Sequence, residues 1–217
     1  MIYITGDTHG DLQDFNSRKL NKLKKGDKLI ITGDFGFIWD NSKEEIKNLQ
    51  KLSKKKYDIL FVEGAHENFD RIRTFDEVDL YMNKGYKIDH NIYCLKRGCI
   101  YEIENKTIFT LGGGADITPL DDSYMDSISM PNDEDYENAV KNLDKYNRKV
   151  NLIITHEAPA SVKKLINRDS VMNELNLFLD TLLHNTKYDM WFFGSLHTER
   201  QVSQNMYCVW HDVYKID

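Results

Sequence analysis

Short apolar runs alternate along the chain with polar, helix-period segments, and the first three runs each end in a glycine-bearing turn. Ile2–Thr5 is a β-branched run that passes directly into Gly6-Asp7-Thr8-His9-Gly10. Over residues 11–24, Leu12, Phe15, Leu20 and Leu23 recur at a loose helical spacing, which predicts a helix there. Residues 28–32 form the second run, followed by Gly33-Asp34-Phe35-Gly36. Asn41 and Ser42 mark a helix start. Glu44 and Glu45 lie in its first turn and lysines crowd residues 51–56, a distribution that complements the helix dipole. Asp58–Val62 is the third run, followed by Glu63-Gly64-Ala65-His66-Glu67-Asn68. This alternation predicts an α/β fold with a largely parallel sheet and covering helices.

The middle of the chain changes character. Residues 91–95, residues 99–104 and Lys106–Leu111 read as short strands, with Glu104-Asn105-Lys106 as a tight reverse turn. Gly112, Gly113 and Gly114 end this meander as a hairpin end or hinge, because no P-loop Gly-Lys-Ser/Thr follows them. A polar stretch over 115–133 carries Asp121, Asp122, Tyr124 and Asp126, an acidic, aromatic-bearing loop that is either a cap over a site or a solvated surface. A helix with an acidic first turn runs from Asp133 to about residue 148. An apolar run at 152–155 leads into His156-Glu157-Ala158-Pro159. A helix near 172–184 precedes the run 190–193, which leads into Gly194-Ser195-Leu196-His197. Strands at 206–209 and 212–216 close the chain.

Five separate strands therefore each deliver an Asp or a His from the loop just beyond the strand: Asp7 and His9, then Asp34, His66, His156 and His197. The crevice at the carboxyl ends of strands is where open α/β sheets bind ligands. Four of the seven histidines fall at such ends. His90, His184 and His211 read instead as surface or local hydrogen-bonding residues. Carboxylate with imidazole suits manganese, iron, zinc or a similar divalent ion better than calcium or magnesium.

Composition narrows the function classes. A net charge of −6 disfavours a broad basic face for nucleic acid or anionic membrane. Cys94, Cys99 and Cys208 are odd in number and form no CxxC, which points to free thiols and a reducing, cytoplasmic setting. The chain opens directly into a strand-like run without the features of a signal peptide, and no window approaches the ~18 apolar residues of a membrane span. No repeat or linker divides it, so residues 1–217 are expected to form one domain.

The ordered segments GDTH, GDFG, GAHE, THEAP and GSLH resemble those of the calcineurin-like metallophosphoesterase superfamily. Its pattern is D-x-H, G-D-x-x-D, G-N-H-D/E, a lone His, then G-H-x-H. The resemblance implies two packed mixed β-sheets flanked by helices in a four-layer sandwich. It also implies hydrolysis of phosphate monoesters or diesters by attack of metal-bound hydroxide. By position, Asp7, His9 and His197 resemble ligands of a first metal, Asp34 the bridging carboxylate and His156 a ligand of the second metal. His66 resembles the histidine that contacts phosphate and protonates the leaving group. The implied cofactor is one or two divalent ions, manganese first, with iron, zinc, nickel or magnesium as alternatives. The implied partner is a small phosphorylated substrate or a nucleotide.

Three positions depart from that pattern. Ala65 stands where the family has asparagine, Ser195 where it has the first histidine of G-H-x-H, and Phe37 where many members have a second aspartate. The first two side chains serve the second metal in the family, so this site is either impaired by natural loss or altered by mutation. The alternative function is a catalytically inactive binding protein for a nucleotide or protein partner. Arg71 and Arg73 follow the GAHEN segment on a helix and are read as pairing with acids such as Asp70 or Asp76 rather than phosphate. Lys54–56 are read as a solvated helix end.

Overall fold

The computed structural model describes residues 1–115 and 128–217; the acidic segment Asp121, Asp122, Tyr124 and Asp126 lies outside the described residues. Thirteen strands among the described residues build two sheets. In chain order they are β1 (Ile2–Thr5), β2 (Lys28–Ile31), β3 (Asp58–Val62), β4 (Glu77–Leu80), β5 (Asn83–Asp89), β6 (Ile92–Leu95), β7 (Cys99–Ile103), β8 (Lys106–Leu111), β9 (Lys149–Thr155), β10 (Lys187–Phe193), β11 (Arg200–Ser203), β12 (Met206–Cys208) and β13 (Tyr214–Ile216). The seven-stranded sheet has the order β13-β1-β2-β3-β6-β5-β4, and the six-stranded sheet β11-β12-β10-β9-β8-β7. Within the first, β1, β2, β3 and β6 are parallel. Within the second, β8, β9, β10 and β12 are parallel. The outer strands run antiparallel, so both sheets are mixed.

Period-2 alternation sorts the central strands between cores. Ile30, Leu60, Ile108, Leu152, Ile154 and Phe192 point into one shared cluster between the sheets. Their chain neighbours Leu29, Ile31, Ile59 and Phe61 face a second cluster with Leu52 of helix α1 (Lys43–Leu52). Phe109, Ile153, Trp191 and Phe193 face a third. It includes Ala139 and Leu143 of α3 (Asp133–Lys145), Val162 of α4 (Ala160–Ile166), and Leu175, Leu179 and Leu182 of α5 (Glu174–Asn185). Strands buried on both faces read as continuous apolar runs, which is why they were legible. The result is the expected layout of two packed mixed sheets with helices outside. No helix among the described residues is long and apolar enough to cross a membrane.

Local chemistry sets the boundaries. Ser42 caps α1 through the Glu45 amide, and Asn132 and Asn173 form capping boxes at the starts of α3 and α5. The helix expected over residues 11–24 is instead a pair of 3-10 turns, Asp14–Asn16 and Leu20–Lys22. Phe15, Leu20 and Leu23 are buried, so the apolar spacing is real, but it serves a packed connection. Between Asn68 and Asn91, a four-residue helix α2 (Phe69–Ile72) and the β4–β5 hairpin occupy a stretch with no strong apolar run. Helix α4 and edge strand β11 were likewise not anticipated. Lys55 is not simply solvated, because its Nζ donates to the Phe15 carbonyl at 2.7 Å.

Candidate metal centre

The five anticipated strand ends meet on one side of the molecule. Asp7 and His9 follow β1, Asp34 follows β2, His66 follows β3, His156 follows β9 and His197 follows β10. His9, Asp34, Ser195 and His197 all adopt left-handed backbone, with φ of 43°, 44°, 47° and 45°. That region costs a non-glycine residue on the order of 1–3 kcal/mol and persists only where surroundings enforce it. Here the enforcement is a lattice of amide bonds. The amides of Thr8 and His9 donate to the Asp34 carbonyl at 3.1 and 2.8 Å. The His66 amide donates to Asp34 Oδ1 at 2.8 Å, and the Ser195 amide to Asp7 Oδ2 at 3.2 Å. A Cβ on Gly64 would overlap Asp34 Oδ1, and one on Gly194 would overlap Asp7 Oδ1. The glycines of GAHE and GSLH are therefore close-approach positions.

Within this lattice, one donor atom from each of Asp7, His9, Asp34 and His197 lies within 4.8 Å of the others. The two carboxylates are buried, while the side chains of His9 and His197 are 41% and 46% exposed. Their Nε2 atoms are 2.9 Å apart. Two imidazole lone pairs repel at that separation, so the contact requires a shared proton or a cation between them. Asp7 Oδ1 is buried without a hydrogen-bond partner among the described residues. A buried anionic oxygen of that kind is expensive unless a cation satisfies it, and the described group that faces it is His156, whose Nδ1 lies 3.6 Å away. The set of oxygen and nitrogen donors fits a divalent transition ion.

His156 stands beside this group rather than in it. Its ring is 2% exposed, with Nδ1 3.1 Å from the Thr32 carbonyl and Nε2 3.8 Å from Asp34 Oδ1. Burial depresses its basicity, but the charges of Asp34 and then Asp7 outweigh that effect and push its pKa up to about 10. Burial by itself raises Asp34; the His156 charge and the hydrogen bonds from His66 overcome it and hold that carboxyl well below the usual carboxylate range. His197 is raised, chiefly by its contact with Asp7.

A family model described as calcineurin-like phosphoesterase matches residues 1–199. The chain belongs to the calcineurin-like phosphoesterase family. No curated protein matches it. Calcineurin-like phosphoesterases use divalent metal ions in phosphoester hydrolysis, and the Asp7–His9–Asp34–His197 group is able to hold one.

Against the pattern of the calcineurin-like family, the three departures take on physical meaning. Phe37 is core, packed against Phe35 and Phe15 with ring centroids 4.9 and 5.6 Å away. His66 is instead oriented by Asp34, whose Oδ2 lies 3.0 Å from Nδ1. Because a carboxylate only accepts, that contact assigns a proton to Nδ1. Ala65 brings a methyl group to the crevice, and the Ser195 hydroxyl is buried without a partner among the described residues.

Other residues find structural employment. Arg71 pairs with Glu45 at 2.6 Å and Arg73 reaches Glu63 at 4.0 Å, partners other than the expected Asp70 or Asp76. The Gly113 amide donates to the Glu63 carbonyl at 2.7 Å, which ties the end of β8 to the end of β3 across the two sheets. His90 contacts its neighbour Asp89, and the exposed His211 reaches Asp14 at 3.1 Å across 197 residues of chain. Glu67 was missed. It is fully buried, accepts from the Phe35 amide at 2.7 Å, and has its pKa raised by burial and then by the Asp34 charge. Its place directly after His66 was the available signal.

Proposed function

We propose that this chain is a hydrolase of phosphate monoesters or diesters. In this reading Asp7, His9, Asp34 and His197 hold a divalent ion, manganese in the first instance, and His66 is the proton donor. The observation that carries the reading is the convergence of four ligand-type side chains, two buried and two half-exposed, from three strand ends. A divalent ion bound there polarises phosphoryl oxygens and lowers the pKa of water. The protein's own part is positioning. Asp34 offers Oδ1 to the His66 amide and Oδ2 to its ring, which fixes the imidazole beside the ligand group. The Nε2 edge of His66 then carries the proton that a departing alkoxide needs. Asp7 serves its side of the crevice in the same way, accepting from the Ser195 amide. The negative net charge favours a small phosphorylated substrate or nucleotide over nucleic acid, and the free cysteines favour the cytoplasm.

The test is hydrolysis of chromogenic monoester and diester substrates, with a nucleotide panel, in added Mn²⁺ and in chelator. Chelator-sensitive turnover of at least one class is expected. A second reading, a binding protein on the same fold, is favoured by Ala65 and Ser195 at donor positions. It prevails if the chain retains metal and binds nucleotide by calorimetry but hydrolyses none of these substrates.

A further inference from the structure

The two halves of the crevice are unequal in donors. In the family pattern the second ion draws on an asparagine, two histidines and the bridging aspartate. Here the corresponding side-chain donors reduce to His156 Nε2 and Asp34 Oδ1, 3.8 Å apart. Ala65 contributes a methyl, and Ser195 a neutral hydroxyl. The neighbouring acids among the described residues are already committed. Glu157 Oε2 accepts from Lys163 Nζ at 2.9 Å and from Asn176 Nδ2 at 2.9 Å, in a fully buried cluster. Glu67 faces the Phe35 amide, and Glu63 is ion-paired with Arg97 at 2.5 Å. Gly114 adds no side chain where it passes His156 and Ala65. Transition ions of this kind are held by three or four protein donors, and two leave most of the coordination shell to water.

We infer that this chain retains one divalent cation, at Asp7, His9, Asp34 and His197, and does not retain a second between His156 and Asp34. The inference rests on the metal-dependent reading above and departs from the two-ion centre that the family resemblance implies. Asp34 would then serve a single ion rather than bridging two, and His156 is a buried positioning residue that pairs with Asp7 and Asp34 at 3.6 and 3.8 Å.

The experiment counts ions on the full chain. The protein is stripped with chelator, reloaded with excess Mn²⁺, desalted and assayed by elemental analysis and electron paramagnetic resonance. One ion per chain with an uncoupled six-line spectrum is expected. Two retained ions with an exchange-coupled spectrum would overturn the inference while leaving the metal reading intact; no retained ion would overturn the metal reading itself. His156→Gln is expected to keep its single ion, and loss of that ion would place His156 among its ligands and sink the proposal. Ala65→Asn combined with Ser195→His is expected to retain two ions and to show coupling. A folded double variant that still holds one ion would refute donor loss as the cause. The unmodified chain and His156→Gln decide the matter if that variant fails to fold.

Discussion

The two sides of the crevice are built from the same kind of strand-end turn but differ in what the turns present. On one side, Asp7, His9, Asp34 and His197 bring four donor atoms within 4.8 Å of one another. On the other, His156 is buried against the Thr32 carbonyl, and the two further donor positions of the family pattern hold Ala65 and Ser195. The backbone of the depleted side is nonetheless held by the acids of the complete side. Asp34 accepts from the His66 amide, and Asp7 from the Ser195 amide. Gly64 and Gly194 are required by those same carboxylates. The shape of the turns therefore depends on groups other than the side chains at positions 65 and 195, and these can change without unmaking the fold.

Substitutions test that asymmetry, beginning with the largest effect. His66→Gln should lower kcat by about 10²–10⁴-fold, the range for a general acid, with the retained ion unchanged by elemental analysis. A parallel loss of metal would move His66 into the ligand group. Asp7→Asn should weaken Mn²⁺ binding by more than roughly 100-fold in a chelator competition, since outer-shell partners alone cost 10–100-fold. In the unmodified chain, free Mn²⁺ at a hundred times Kd should stabilise by about 2.7 kcal/mol in melting experiments, and Asp7→Asn should abolish that gain. Gly64→Ala forces a methyl into Asp34 and should cost about 1–3 kcal/mol in urea unfolding, the usual penalty for overpacking. Ser195→Ala should be the mildest. It removes a hydroxyl that has no partner among the described residues, so stability should move by less than about 0.5 kcal/mol and Mn²⁺ affinity should not change. A tenfold loss of affinity would make Ser195 a ligand and erase the contrast between the two sides.

Much of the centre is legible in the amino-acid sequence. β1, β2, β3, β9 and β10 are central strands buried on both faces, so each wrote itself as an apolar run, and the residue after each run stood out by its chemistry. The misses share a cause. β4 and β11 are edge strands of only four residues: Glu77-Val78-Asp79-Leu80 alternates over too short a span to stand out, and β11 carries a single apolar residue, Val202. The segment from residue 11 to 24 carried helical spacing, yet its side chains pack into the core of the first sheet through two 3-10 turns. Glu67 and Thr32 act through a carboxylate pointing inward and a backbone carbonyl, neither of which sequence displays.

The amino-acid sequence by itself determined which strands are central, which residue types follow them, and that two positions of the second metal's expected donor set hold Ala65 and Ser195. Both kinds of information are local, because an apolar run or a lost donor is visible residue by residue. Only the tertiary structure decided which donors converge, that Asp34 orients His66 in place of the side chain at position 37, and that His156 is buried against Asp7 and Asp34 beside the four-residue group. Those outcomes depend on left-handed turns from two sheets meeting within hydrogen-bond distance, and Asp7 and Ser195, which share one such bond, are 188 residues apart in the chain.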